Sequence, residues 1–332
     1  MIAPPFVRLE LMDIPPLQDS HVNVPGFYIA GTVEDANKKW AGYAIFESNS
    51  ESTGYVKREN YETRATIGDT TLDTIIKTSD EVDYRLLDNA SEIYITLAHK
   101  NDSLESVTED EMLAGKNRFL VGKEIIGAAN CVLVTSDYEG RKTYKLTTIL
   151  RGIKDTIEEM DTHVDNERFV HLDGPGVYFF EHAHSRIGES KYITALSGGQ
   201  SLGEVGVRKF ASSGKTVAPF RPLVISGTRN GSNDLTVTWE RQTRVSTRYL
   251  DQGAPYLEEA ERYKILVRQG PNSTVGVREA IVNIATGDPR TWTYTASQQT
   301  SDGFTPGESI TLELLQLSKT LNDAGNRSIV TL

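Results

Sequence analysis

The sequence predicts a mainly β protein, an irregular β-barrel or sandwich portion followed by a compact terminal β-sandwich. Three observations predict it. Short apolar or alternating runs, rich in β-branched and aromatic residues and flanked by Gly, Asn, Asp or Pro, recur along the whole chain. Segments with a helical period are few and short. From Leu223 onward the runs become evenly spaced, seven of them by Leu332, the number expected of an immunoglobulin-like sandwich.

The first portion has expected strands at residues 6–11, 27–31, 42–46, 61–67, 92–97, 119–126, 131–134 and 144–150. A helical turn is expected over 106–113, with Thr108 placed to cap it, and an acidic one over 153–160. Residues 1–150 therefore read as one β-rich domain. Strands at 167–172, 177–181, 192–196 and 205–210 make 151–215 a β-rich extension, or a completion of that domain. The small polar stretch Ala211-Ser212-Ser213-Gly214-Lys215-Thr216 has the composition of a linker.

Residues 216–332 read as a fibronectin III-like β-sandwich. Its strands are expected at 223–228, 235–240, 263–268, 279–284, 291–294, 309–317 and 328–332. Asn230-Gly231 signals the turn between the first two. Val237 and Trp239 share one face of their strand, and Tyr263, Ile265 and Val267 share one face of theirs, so these residues are expected to fill the sandwich core. Such sandwiches hold and present surfaces more often than they perform chemistry.

Charge and composition narrow the function classes. The 332 residues carry a net charge of −11 with no long Lys/Arg run, which argues against a nucleic-acid groove. No stretch reaches the roughly 18 apolar residues that a membrane helix needs. The start, Met1-Ile2-Ala3-Pro4-Pro5, lacks the basic flank and apolar run of a signal peptide. The one cysteine, Cys131, sits in an apolar run and reads as a buried, inert thiol.

Candidate chemistry is sparse. His182-Ala183-His184 puts two imidazoles on one side of a strand, but a metal needs further ligands, and no cofactor is expected. Asp155, Glu158, Glu159, Asp161 and Asp165 cluster near His163. Paired carboxylates are what a cell-wall glycosidase uses, yet neither Glu158 nor Glu159 has an apolar pocket to raise its pKa, and a solvated face is expected. Ser197-Gly198-Gly199-Gln200-Ser201-Leu202-Gly203 lacks the lysine of a phosphate loop and reads as a chain reversal. Arg241 and Arg244, next to Trp239, form the one expected ligand or partner surface. No catalytic residue is expected.

A set of landmarks in order completes the reading. They are Leu11-Met12-Asp13-Ile14-Pro15-Pro16-Leu17, Gly26-Phe27-Tyr28-Ile29-Ala30, Trp40-Ala41-Gly42-Tyr43-Ala44-Ile45-Phe46, Ala65-Thr66-Ile67-Gly68 and Leu104-Glu105-Ser106. Then follow Gly115-x-Asn117, Val121-Gly122-x-Glu124-Ile125-Ile126, Leu150-Arg151-Gly152, Glu167-Arg168-Phe169-Val170, Pro219 to Pro222 and Tyr294-Thr295-Ala296-x-Gln298-Gln299. With them the chain resembles the C-terminal portion of the tail-tip hub proteins of gene transfer agents and siphophages. That resemblance implies a structural subunit of a phage tail tip or baseplate, made in the host cytoplasm and resident in the virion. It implies a homotrimer that meets distal tail, hub and fibre proteins. Members of that family are longer, with a TIM-barrel-like domain ahead of this portion, so the chain is expected to be a split gene product or a piece of a longer protein. A receptor- or glycan-binding tail module that touches the host surface is the second reading, and a cell-wall hydrolase the third.

Overall fold

Alternation of apolar side chains sorts the strands of this protein into layers. The computed structural model describes residues 6–33, 40–245, 257–321 and 324–332. Met1 to Pro5, read above for a signal peptide, lie outside them. Two compact units form, one from Met1–Leu17 with Pro25–Thr216, the other from Gln18–Val24 with Val217–Leu332.

The first unit contains strands β1 (Arg8–Met12), β2 (Gly26–Thr32), β3 (Tyr43–Ser48), β4 (Val56–Tyr61), β5 (Ile67–Thr70) and β6 (Ile93–Leu97). The short helix α1 (Glu109–Leu113) precedes β7 (Arg118–Val121), β8 (Glu124–Ser136), β9 (Lys142–Leu150) and β10 (Arg168–His171). Then come β11 (Val177–Glu181), β12 (Lys191–Leu196) and β13 (Arg208–Phe210). Strands β5 to β10 close an antiparallel barrel in the order β10-β5-β6-β9-β8-β7, with β7 returning to β10. Inward residues Ile95, Leu97, Phe119, Ile126, Leu146 and Phe169 fill it. Outward residues Ile67, Leu120, Ile125 and Val170 pack on Met12, Tyr28 and Ala30 of the sheet β1-β2-β11. The opposite face of that sheet offers Leu9, Leu11, Phe27 and Ile29 to Tyr43, Ile45, Ile193 and Ala195 of the sheet β13-β12-β3-β4. Strand β2 is thus buried on both faces. Each fully buried Leu, Ile or Phe side chain contributes about 1.5–3 kcal/mol.

Four local expectations change. Residues 61–67 are not one strand: β4 ends at Tyr61 and β5 starts at Ile67. Strand β4 itself, VKRENY, is mostly exposed and polar, so no apolar alternation marks it. Residues 119–126 are a tight hairpin that turns at Gly122-Lys123, where Gly122 takes φ +59. The acidic stretch after β9 forms two 3-10 turns instead of an α-helix. The expected linker is pinned down: Ser213 N donates to Asp13 Oδ2 at 2.6 Å, and Ser212 Oγ donates to Asp13 Oδ1 at 3.3 Å. Helix α1 does start at its expected cap. Thr108 Oγ1 accepts from Glu111 N, and the Glu111 carboxylate accepts from Thr108 N.

The second unit contains β14 (Leu223–Arg229), β15 (Leu235–Glu240), β16 (Arg262–Arg268), β17 (Gly276–Asn283) and β18 (Thr291–Tyr294). Helix α2 (Ala296–Ser301), β19 (Thr311–Gln316) and β20 (Arg327–Thr331) complete it. Sheet β14-β15-β18 faces sheet β17-β16-β19-β20, a three-on-four sandwich with the strand order of a fibronectin III domain. The fold is mainly β, as expected, and this part is fibronectin III-like. Trp239, Tyr263, Ile265, Val267 and Leu314 meet in its core. Helix α2 was not expected. It is set by another capping box, Thr295 with Gln298. In the β14–β15 turn the left-handed residue is Asn233, φ +63, and Asn230 Oδ1 accepts from Ser232 N and Asp234 N.

Candidate functional site

The inward-facing rows of the barrel do not stay apolar to their ends. On β8, Glu124 has the same parity as Ile126 and Ala128. On β10, Glu167 precedes Phe169 by two. After β9, Arg151 follows Ile149 by two. Residues two apart on a strand face the same side, so three charged side chains point into one end of the barrel. Arg151 grips Glu124 with both edges, Nε to Oε1 at 2.9 Å and Nη2 to Oε2 at 2.8 Å. Its Nη1 donates to Asp88 Oδ2 at 2.9 Å and to the Lys77 carbonyl at 3.0 Å. The Arg151, Glu124 and Asp88 side chains are all 0% exposed. His163 closes the set, with Nε2 2.7 Å from Glu124 Oε2 and Nδ1 bonded to Glu167.

The backbone serves the same cluster. Gly152 N donates to Glu124 Oε1 at 2.7 Å from a left-handed conformation, φ +59. A Cβ at that position would stand 2.7 Å from Ile157 Cγ1, so glycine is required twice over. Asp88 accepts from Ala90 N and Ser91 N, each at 2.9 Å. Burial opposes the charges of Glu124 and Asp88. Hydrogen bonds from His163 and Arg151 to the first, and from Ser91 to the second, outweigh it and hold both carboxyls below their usual pKa.

Burial likewise opposes protonation of His163, but Glu124 and Glu167 override it and raise its pKa to about 9. A pH dependence follows. The folded-state pKa lies above the ordinary 6.5, so this imidazolium stabilises fully below pH 6.5, and its contribution fades as pH rises through about 9. The contribution is on the order of a few kcal/mol, shared between His163 and its two carboxylate partners. We expect the urea midpoint of the barrel unit to fall between pH ~6 and pH ~9.5, and His163→Gln to flatten that fall. An unchanged slope in the variant would refute the assignment.

Two cations and three carboxylates are locked together here, and each side chain of the set is bonded to another member. What the arrangement does is fix strands β8, β9 and β10 to the 88–91 turn.

The residues singled out in the sequence lie elsewhere. Arg244 is buried, 3% exposed, with Nη1 2.8 Å from Glu258 Oε1 and Nη2 bonded to Asn23. This corrects the expectation of an open arginine face: a buried guanidinium with a carboxylate partner is already engaged. Arg241 is half-buried just beyond β15. His182 and His184 lie past the end of β11, so strand parity does not apply. His182 is buried near Phe27, ring centroids 6.1 Å apart, while His184 opens an exposed 3-10 turn. Of the acids around His163, Asp155 is buried, Glu158 exposed, and Asp161 accepts from Ser79 N and Oγ at 2.7 Å each. The 197–203 loop is a turn between β12 and β13. Cys131 is buried in the barrel, and burial pushes its thiol up to about 12.

One feature of the surface is unusual. Strand β8 outruns β7 and runs on into the β8–β9 hairpin, while the far edge of β9 stays paired with β6. Val132, Leu133 and Val134 are each about half exposed, and Tyr138 at the hairpin tip is 95% exposed. The Ser106 side chain and the Val107 backbone cover the outer edge of β8 as far as Cys131. From Val132 to Ser136 that edge pairs with nothing among the described residues.

Residues 65–170 match the protein-family model described as Rcc01698-like, C-terminal. The matched segment, just under a third of the chain, coincides with the barrel strands β5 to β10, and Asp88, Glu124, Arg151, His163 and Glu167 all lie within it. The family is found in gene-transfer-agent and phage-like proteins. No curated protein matches the chain. Among solved structures, the FN1–FN3 domains of chicken CNTN1 align over 99% of this chain and 99% of that one, at 10% identity and a TM-score of 0.24. A two-domain fibronectin type III segment of chicken tenascin aligns over 80% of this chain and 98% of that one, at 10% identity and a TM-score of 0.22. The fibronectin-like description of the second unit rests on its own strand order.

Proposed function

We propose that the chain is a structural subunit of a bacteriophage tail tip or baseplate hub, assembling with copies of itself and with other tail proteins. The observation that carries the reading is the coincidence of the Rcc01698-like match with the whole barrel and its buried charge network. The landmarks of the hub resemblance, Glu124, Arg151 and Glu167 among them, converge on that network. A cluster whose charged groups are all engaged with one another suits a rigid scaffold.

The open edge of β8 from Val132 to Ser136 supports assembly. An apolar strand with an open edge invites pairing with another chain, and soluble monomers usually blunt such edges. That edge of β8 therefore serves as the contact element, within an interface larger than ~1,000 Å² in the native particle. The test is the mass of the purified chain in solution, alone and with its genomic neighbours. We expect a closed oligomer, and expect Val132→Lys with Val134→Lys to return it to monomer without lowering the unfolding midpoint of the barrel. A chain that stays monomeric in both settings would remove the assembly reading.

A further inference from the structure

At one end of the sheet β13-β12-β3-β4, four charged side chains surround a small cleft lined also by Asn49 and Val56. Glu47 forms its floor. It continues the inward row of Tyr43 and Ile45 on β3 and is buried. Its carboxylate meets Arg186 through one oxygen and Arg58 Nε at 3.5 Å through the other. Arg58 reaches it because of a β-bulge: Ile45 pairs with Glu59 and Phe46 with Lys57, leaving Arg58 as the extra residue of β4. Bulges re-aim side chains in this way, often beside functional sites. Lys191, at the start of β12, donates to Asn49 Oδ1 and Glu189 Oε1, each at 2.5 Å.

The donors outnumber the acceptors. Arg186 Nε is buried and has no hydrogen-bond partner among the described residues. The Arg58 guanidinium makes no hydrogen bond among the described residues, and the Lys191 ammonium has a third proton to give. Three cations face one buried carboxylate and one rim carboxylate, on a chain whose net charge is −11. The opposite wall is held in place, since Ser48 Oγ donates to the Thr53 carbonyl at 2.5 Å and accepts from Ser50 N at 2.9 Å. A buried N–H left unsatisfied is costly, and an arriving oxygen would relieve it.

We propose that this cleft binds an oxyanion, a phosphate or carboxylate group carried by a small polyol or sugar, with Arg186 Nε, Arg58 and Lys191 as its donors. The site is independent of the assembly reading, and its failure would leave that reading standing. The test titrates the full chain with inorganic phosphate and, separately, with glucuronate, at constant ionic strength held by chloride, by calorimetry or NMR. Saturable binding with a dissociation constant on the order of 1 mM or tighter is expected for at least one of them. Phosphate alone would mark a site for tetrahedral anions, glucuronate alone one for planar carboxylates, and both a general oxyanion site. Each cation bond lost should weaken binding about tenfold or more. Arg186→Gln risks the fold because it strands Glu47, so the deciding variants are Arg58→Gln and Lys191→Gln, whose circular dichroism should match the parent. No saturation by either anion, or saturation that both variants leave unchanged, would overturn the proposal.

Discussion

Arg151→Met is expected to cost the barrel unit about 3–5 kcal/mol, the usual penalty for removing one partner of a buried ion pair. The reason is what it leaves behind. Glu124 and Asp88 would remain at 0% side-chain exposure, with only His163 as a cationic neighbour of the first. Their desolvation would persist while the bidentate clamp that offset it was gone. Glu124→Gln keeps the shape but gives Arg151 one carboxylate instead of two, so a smaller loss is expected. The double variant should lose less than the sum, by a coupling of about 1–3 kcal/mol. Amide exchange of β8 and β9, read at neutral pH in the full chain, measures all three. A single-variant cost below ~1 kcal/mol would show that the network is an ornament of the barrel end and not its fastener.

The strength of that network has a physical limit. Well-packed apolar residues in place of a complete buried ion set are often neutral or stabilising. The cluster is therefore better understood as a device for specificity. Glu124 can be satisfied only when the Arg151-Gly152 pair and His163 both arrive, and these two come from separate stretches of chain. A slip of one residue in the β8–β9 register would turn Glu124 out of the barrel and leave Arg151 without its clamp.

How much of this was legible in the sequence depends on whether the signal was local. The sandwich strands were, because period-two alternation and turn residues act within a few positions. Leu235–Glu240 and Thr291–Tyr294 begin and end where the pattern says. The cap of α1 was also local. Strand β4 was not, because its residues are polar and mostly exposed and only pairing with β3 makes it a strand. The β7–β8 hairpin hid inside one apolar run, since a turn of only Gly122-Lys123 barely interrupts it. The two units also interleave, with Gln18–Val24 counted in the second, which no linear reading of composition shows. The charge network had a faint signal: Glu124 sits between two apolar stretches, and Arg151 follows Ile149-Leu150, both at inward parity. Pairing them required barrel closure, which is a long-range fact. Density of acids around His163 pointed to the wrong carboxylates for the same reason, since its true partners are Glu167 and the distant Glu124.

Trp239→Ala is expected to lower the stability of the second unit by about 3–5 kcal/mol, as for a large aromatic removed from a close-packed core. Trp239 is 3% exposed and meets Tyr263 edge-on, centroids 5.1 Å apart at 68°. It is the point where β15 of one sheet touches β16 of the other, so its loss removes contact between sheets as well as volume. Tyr263 cannot collapse into the gap without breaking the bond its hydroxyl gives to Glu261 at 2.8 Å, which in turn accepts from Arg290. The cavity should therefore persist, and the cost should lie toward the upper end of that range. A companion substitution separates shape from polarity. The indole Nε1 is buried and finds no hydrogen-bond partner among the described residues, so Trp239→Phe trades lost area for relief of an unsatisfied donor. Its cost should stay below about 1.5 kcal/mol. Amide exchange of β16 and β19 reads both variants in the full chain, and Trp292, stacked on Tyr294 at 5.5 Å, remains as a fluorescent reporter of the same unit. If alanine and phenylalanine at this position cost the same, the ring's volume is not what joins the two sheets, and the inter-sheet contact must be sought among Val237, Ile265 and Leu314 instead.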